Sequence, residues 1–108
     1  MVNQLSPERL ASMIDSGDSF SLIDTRPEDS YEGWRIHGAE NVPFGPDDEV
    51  TDERLERIEA ASNGDPIVAI CGKGLTSTPF SFELEQRGYD DVAVVKGGME
   101  DWSKVYEV

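Results

Sequence analysis

A short apolar run from Pro66 to Ile70 constrains the fold more than any other segment of the chain. It is rich in Ile and Val and is bounded by turn residues, which is typical of a strand buried on both faces of a parallel sheet. Cys71, the only cysteine, follows it directly, and a glycine-rich segment then leads into a predicted helix. A thiol at the carboxyl end of a strand and before a helix lies where open α/β sheets bind their ligands.

The rest of the chain alternates between strand and helix patterns. We expect strands over residues 2–5, 20–24, 39–42, 66–70 and 92–95. We expect helices over residues 7–15, 52–61, 77–87 and 99–104, with a helical turn near 27–31. The first helix has Ser6 as its N-cap and Pro7 at its first position. This alternation predicts one α/β domain over residues 1–108, with a mostly parallel sheet and helices on both faces.

The net charge of -14 arises from 23 acidic and 9 basic residues spread along the chain. A surface of this kind repels nucleic acid and anionic membranes, so neither is expected as a partner. Self-repulsion would destabilise the compact state in dilute buffer, whereas concentrated salt would screen it. A halophilic source is the simplest interpretation, and an ordinary acidic protein is the alternative that composition leaves open.

The chain begins without the basic and apolar regions of a signal peptide, and it has no apolar stretch of membrane length. These features favour a cytoplasmic protein. One cysteine and one histidine far apart in sequence do not make a zinc site, so no metal is expected. The glycines near Cys71 lack the spacing of a nucleotide-binding loop, and no cofactor is expected.

Three segments, in the order known from one family, make the chain similar to the rhodanese family of sulfurtransferases. The segments are Leu22–Pro27 with Tyr31, Gly33 and Ile36–Pro43; Cys71–Thr76; and Gly88–Val92 with Val95, Gly97, Gly98 and Trp102. The resemblance implies a three-layer α/β sandwich with about five strands, and it implies sulfur transfer through a cysteine persulfide. The related phosphatases have a loop one residue longer that ends in Arg. Ser77 stands at that place here, so phosphatase activity is not expected.

The resemblance implies that Cys71 is the nucleophile and that the residues after it bind the donor. The donor-binding residues would be Gly72, Lys73, Gly74, Leu75, Thr76 and Ser77. Converging backbone N–H groups and a helix N-terminus would lower the pKa of the thiol and stabilise the anionic sulfur. Lys73 is the cation of this loop and could attract an anionic donor, although it could equally be an ordinary solvated lysine.

Two positions depart from the family pattern. Gly72 stands where members that use thiosulfate commonly carry Arg, and in this respect the loop resembles the branch that uses mercaptopyruvate. Lys73 and Thr76 resemble the thiosulfate branch instead. The only histidine, His37, is displaced from its usual place in the first signature, and we expect a structural role for it rather than that of a base.

Asp24 and Arg26 are expected to form an ion pair that supports the loop. In the family an arginine near this place often helps to bind the donor, so Arg26 also remains a candidate for substrate binding.

The main hypothesis is a sulfurtransferase that forms a persulfide on Cys71 from thiosulfate or a related small anion. Because the chain has no second cysteine, an external thiol or cyanide must accept the sulfur. A thioredoxin-like protein is one candidate acceptor. The alternatives are a non-catalytic binding or regulatory module, and a persulfide carrier that an upstream enzyme loads.

Overall fold

The computed structural model describes residues 3–45, 48–62, 64–73 and 77–105, and a five-stranded sheet lies at its centre. The strands are β1 (Asn3–Leu5), β2 (Ser21–Asp24), β3 (Glu40–Asn41), β4 (Ile67–Ile70) and β5 (Val92–Val95). The helices are α1 (Pro7–Ser16), α2 (Glu28–Gly33), α3 (Asp52–Ser62), α4 (Ser77–Gln86) and α5 (Gly98–Val105). The strands lie in the order β1-β5-β4-β2-β3, and each neighbouring pair is parallel. The predicted sheet is confirmed, and it is wholly parallel in the described residues.

The apolar run that precedes Cys71 forms β4, the central strand. Ala69 of β4 is in register with Ile23 of β2 on one side and with Val94 of β5 on the other. All four residues of β4 are buried, as expected for a strand covered on both faces. Successive side chains of a strand point to opposite faces, so Ile67 and Ala69 enter one hydrophobic cluster while Val68 and Ile70 enter a second.

The two hydrophobic clusters lie between the sheet and its helices, one on each face. The first cluster contains Ile58 of α3 together with Phe80 and Leu84 of α4. The second contains Leu10 of α1 and Trp102 of α5. Helices therefore cover both faces of the sheet, which confirms the predicted three-layer sandwich.

Local sequence signals set the limits of α1. The Ser6 side chain accepts a hydrogen bond from the backbone N–H of Arg9 at 3.1 Å, and Pro7 is the first helical residue. Gly17 ends the helix in a left-handed conformation with φ of 71°, which glycine adopts at little cost. The helix extends to Ser16, one residue beyond its predicted end.

β5 has its predicted bounds, and the other elements differ from theirs by at most two residues at either end. β3 contains only Glu40 and Asn41, whereas the pattern predicted residues 39–42. The chain nevertheless stays against β2, because the backbone N–H groups of Val42 and Phe44 donate to the carbonyls of Asp24 and Thr25, each at 3.0 Å. In the described ranges no helix has both the length and the apolar character needed to cross a bilayer.

Candidate active site

A cleft of about 410 Å³ opens at the carboxyl ends of β2 and β4. Its lining residues are Thr25, Arg26, Pro27, Ser30, Pro43, Phe44, Gly45, Asp48, Cys71 and Gly72. They follow β2, β3 and β4 in the chain, and they meet because the carboxyl ends of parallel strands share one edge of the sheet. Pockets for small ligands span roughly 300 to 1,000 Å³, so the cleft has a size suited to a small molecule.

Cys71 follows β4 directly and lines the cleft with only 2% of its surface exposed. Its carbonyl accepts a hydrogen bond from the backbone N–H of Met99 at 2.7 Å, and the carbonyl of Gly72 accepts one from Glu100 at 2.9 Å. Both donors belong to the first turn of α5. The start of α5 therefore fixes the backbone that carries the thiol, and the low exposure limits access to the sulfur to molecules that enter the cleft.

The expected ion pair between Asp24 and Arg26 is present beside Cys71. The Arg26 side chain donates to the Asp24 carboxylate through Nε at 3.1 Å and through Nη2 at 2.8 Å, while its backbone N–H donates to the same carboxylate at 3.0 Å. Nη2 also donates to the carbonyl of Trp34. The Asp24 side chain is fully buried and that of Arg26 is 10% exposed, so the two charges compensate each other away from water.

Asn41 ties the turn after β2 to β3. Its side-chain amide donates to the carbonyl of Asp24 at 3.0 Å and to that of Arg26 at 2.9 Å. Thr25, between them, donates its backbone N–H to the carbonyl of Ile70 at 2.8 Å, and its hydroxyl donates to the same carbonyl at 3.2 Å. The turn that carries Arg26 is thus attached to both neighbouring strands.

The predicted site residues fall into three groups. Cys71, Gly72 and Arg26 line one cleft, with Asp24 behind Arg26. Lys73 is exposed next to the cleft. Gly74, Leu75 and Thr76 lie outside the described residues. Ser77 is the first residue of α4, and its side chain is likewise outside the description.

Several cleft residues were not predicted from the sequence. They are Thr25, Pro27, Ser30, Pro43, Phe44, Gly45 and Asp48. The first three follow β2, and they could have been found by extending the rule that strand ends meet at one edge. His37 does not line the cleft; it is exposed in a separate depression with Ile14 and Phe20. The structural role expected for His37 stays a prediction.

A second depression, of about 350 Å³, lies at the opposite end of β4 and β5. Four carboxylates line it, those of Glu59, Asp65, Asp90 and Asp91. Burial, and the hydrogen bond that the Tyr89 hydroxyl donates to Glu59, raise the pKa of Tyr89 to about 12. An anionic donor would be repelled there, so the Cys71 cleft is the better candidate site. Within the described ranges no set of three or more acidic, histidine or cysteine side chains is placed to hold a metal ion.

Comparison with known proteins decides the family. The profile described as "Rhodanese-like domain" matches residues 6–105. The chain belongs to the rhodanese-like domain family. The match covers every element from α1 to α5, and in this rhodanese-like chain it includes both Cys71 and the turn that carries Arg26.

Curated relatives of this rhodanese-like chain have names that refer to sulfur transfer. It is 28% identical over 102 residues to the candidate sulfur carrier YrkF of Bacillus subtilis, covering 94% of this chain and 51% of that protein. It is also 28% identical to the thiosulfate sulfurtransferase GlpE of Pseudomonas paraeruginosa, covering 95% of this chain and 86% of that one. The chain thus spans about half the length of YrkF and 19% of the maize adenylyltransferase and sulfurtransferase MOCS3-2.

Solved structures show the same fold. An uncharacterised protein from Saccharomyces cerevisiae superimposes with a TM-score of 0.79 at 21% identity, covering 96% of this chain and 92% of that chain. A rhodanese-related protein from Thermoplasma volcanium superimposes with a TM-score of 0.75 at 19% identity, covering 95% of this chain and 92% of that chain. These likenesses support the rhodanese fold.

Proposed function

We propose that this protein is a sulfurtransferase that forms a persulfide on Cys71 from thiosulfate or a related sulfane-sulfur donor. The observation that carries the proposal is the position of the only cysteine, which lines a cleft of small-molecule size at the carboxyl edge of the sheet. Relatives named as thiosulfate sulfurtransferases, matched over most of their length, support thiosulfate as the first donor to test.

The proposed reaction has two displacements, both at the transferred sulfur. In the first, the Cys71 thiolate attacks the outer sulfur of thiosulfate, a new S–S bond forms, and the old S–S bond breaks with its electron pair leaving on sulfite. In the second, cyanide or an external thiolate attacks the outer sulfur of the persulfide, and the Cys71 thiolate is regenerated. No second cysteine in these 108 residues can take the sulfur, so the acceptor comes from outside the chain.

The charges near Cys71 suggest how an anionic donor is bound. Lys73 is exposed and carries an ammonium group close in sequence to the thiol. Arg26 uses Nε and Nη2 for Asp24 and Trp34, whereas Nη1 donates to no side chain or carbonyl of the described residues. A guanidinium held in place on one side by Asp24 can donate on its other side to a bound anion. The segment from Gly72 to Ser77 is proposed to supply backbone N–H groups.

A second candidate is a sulfur carrier whose Cys71 is loaded by another protein. The likeness to the sulfur carrier candidate YrkF favours this alternative. In this alternative the persulfide also forms on Cys71, but the donor is another protein rather than a small anion. A non-catalytic regulatory module is a third alternative, and it would keep its partner binding when Cys71 is replaced by Ser. An intracellular site of action, with a thioredoxin-like acceptor, is part of the proposal.

Thiocyanate formation from thiosulfate and cyanide tests the proposed function. We expect the wild-type chain, assayed in molar KCl, to form thiocyanate with saturation in thiosulfate. The Cys71→Ser variant should lose this activity entirely, since a hydroxyl cannot carry the sulfur as a persulfide. If the wild-type chain forms no thiocyanate from thiosulfate but accepts sulfur from a persulfidated protein, the carrier is favoured. Full activity in Cys71→Ser would refute both proposals.

A further inference from the structure

Arg54 of α3 contacts four residues of the segment that follows β3, and three of them form one wall of the cleft. The four are Pro43, Phe44, Asp48 and Glu49. Its Nε donates to the carbonyl of Pro43 at 3.1 Å, and its Nη1 donates to the carbonyl of Glu49 at 2.7 Å. Its Nη2 lies 3.3 Å from a carboxylate oxygen of Asp48. Its guanidinium carbon lies 5.8 Å from the centre of the Phe44 ring, within reach of a cation–π interaction.

Three of these four contacts are residues that line the cleft, namely Pro43, Phe44 and Asp48. Arg54 itself does not line it. Phe44 is 3% exposed and packs edge-on against Phe80 of α4, with ring centres 5.3 Å apart. Arg54 therefore attaches these cleft residues to α3, while the Phe44 ring attaches them to α4.

The far end of the same segment is held by α4. The backbone N–H of Val50 donates to the Glu83 carboxylate at 3.0 Å, and its carbonyl accepts from Arg87 at 2.6 Å. Loss of Arg54 would leave this attachment in place. The change should therefore displace the residues near Pro43 and Asp48 without releasing the whole segment.

Arg54 also pairs with Asp48, the only carboxylate among the described residues that line the cleft. Asp48 accepts a hydrogen bond from the backbone N–H of Gly45 at 2.6 Å, which keeps its charge beside the cleft. The Asp48 and Arg54 side chains are 44% and 25% exposed, so the interaction is partly screened by water. Without Arg54 the Asp48 carboxylate would lose its ion-pair partner, and an incoming anion would meet its full charge in the same cleft that Arg26 lines.

We propose that Arg54 is a positioning residue that fixes Pro43, Phe44 and Asp48 in the lining of the Cys71 cleft and neutralises Asp48, and that it thereby sets the affinity for an anionic donor. The inference rests on the proposed function for its kinetic consequence. Its structural consequence, the access of small anions to Cys71, can be measured without any sulfur transfer.

The kinetic test compares Arg54→Gln with Arg57→Gln. Arg57 lies three residues further along α3 and also donates to a backbone carbonyl, but its acceptor is Asn41, which does not line the cleft. We expect Arg54→Gln to raise the KM for thiosulfate about fivefold with kcat within about twofold of wild type. Arg57→Gln should leave both constants near those of wild type. Equal changes in the two variants, or a loss in kcat alone, would overturn the inference.

Alkylation of Cys71 provides a test that does not depend on activity. Iodoacetamide and iodoacetate are similar in size, but only iodoacetate is charged. All variants are compared at one KCl concentration, the lowest at which every one of them is folded. There Arg54→Gln should lower the ratio of the Cys71 alkylation rate with iodoacetate to that with iodoacetamide about threefold. Arg54→Lys keeps the charge, so it should keep the wild-type ratio, although it cannot reproduce the planar contacts to both carbonyls.

The two tests distinguish a failure of the proposed function from a failure of the role proposed for Arg54. If the wild-type chain transfers no sulfur but the alkylation ratio falls only in Arg54→Gln, the proposed function fails and the role of Arg54 stands. If sulfur transfer is normal and the ratio is the same in all variants, including Arg57→Gln, the role of Arg54 is refuted. Thermal melts of each variant show that the compared proteins are folded.

Discussion

Asp24 is the one acidic residue in the described part of the chain that is buried. Its carboxylate has no access to water and is compensated by the guanidinium and backbone N–H of Arg26. A buried charge without a partner is costly, so the two residues depend on each other. The pair holds the Arg26 side chain against the cleft next to Cys71, and the first turn after β2 therefore links stability to the candidate site.

Replacing Asp24 by Asn should be strongly destabilising, because it leaves the largely buried Arg26 charge without a counter-charge. We expect the free energy of unfolding to fall by about 3 kcal/mol. The matched control is Asp101→Asn, which removes the exposed pair between Asp101 and Lys104 and should cost less than about 1 kcal/mol. Denaturant unfolding in molar KCl measures both changes. Similar losses in the free energy of unfolding would show that the buried Asp24 pair stabilises the fold no more than the exposed pair does.

The turn between β5 and α5 positions the backbone of Cys71. Gly97 and Gly98 have φ of 76° and 61°, a left-handed conformation that other residues rarely adopt. This turn brings the first N–H groups of α5 to the carbonyls of Cys71 and Gly72. The glycine pair therefore has a role at the site beyond that of a tight turn.

Gly97→Ala should destabilise the protein and weaken sulfur transfer. An added Cβ would lie 2.0 Å from a carboxylate oxygen of Asp101, in addition to the strain of a positive φ. Gly17→Ala is the matched control, since Gly17 has a φ of 71° but open space around it. We expect Gly17→Ala to cost about 1 kcal/mol and Gly97→Ala about 2 to 3 kcal/mol. Only Gly97→Ala should slow thiocyanate formation, and equal effects on activity would contradict the proposed role.

Most elements could be predicted from the sequence because local signals specify them. The apolar run of β4 and the Ser6 and Gly17 caps of α1 are examples. The cleft wall could not be predicted, because contacts with side chains further along the chain fix Pro43, Glu49 and Val50. Arg87, for instance, reaches the carbonyl of Val50 across 37 positions of the chain. The sequence pattern carries no periodic signal for contacts between a side chain and a distant carbonyl.

Across the whole molecule the two signs of charge are used differently. Nearly all acidic residues of the described part are exposed or half-exposed, in a chain with a net charge of -14. Several of the few arginines instead donate to backbone carbonyls; these are Arg26, Arg35, Arg54, Arg57 and Arg87. With 23 acidic residues against 9 basic ones, repulsion between carboxylates should oppose folding.

The fold should therefore gain stability as salt is added. Raising KCl from about 0.1 M to about 1 M shortens the screening length from about 10 Å to about 3 Å, and we expect the Tm to rise by several degrees. A variant with Glu32→Gln and Glu56→Gln, both at exposed positions, should show a smaller rise. Thermal melts across this range provide the measurement. A Tm that does not move with salt would contradict the expectation and the halophilic interpretation with it.

The central claim is that Cys71 carries a transferable sulfur atom, and intact-mass spectrometry after exposure to thiosulfate in molar KCl tests it most directly. We predict that the wild-type chain gains the mass of one sulfur atom, that cyanide removes it, and that Cys71→Ser gains nothing. A wild-type mass that stays unchanged with every sulfane-sulfur donor, or an adduct that persists in Cys71→Ser, would contradict the claim.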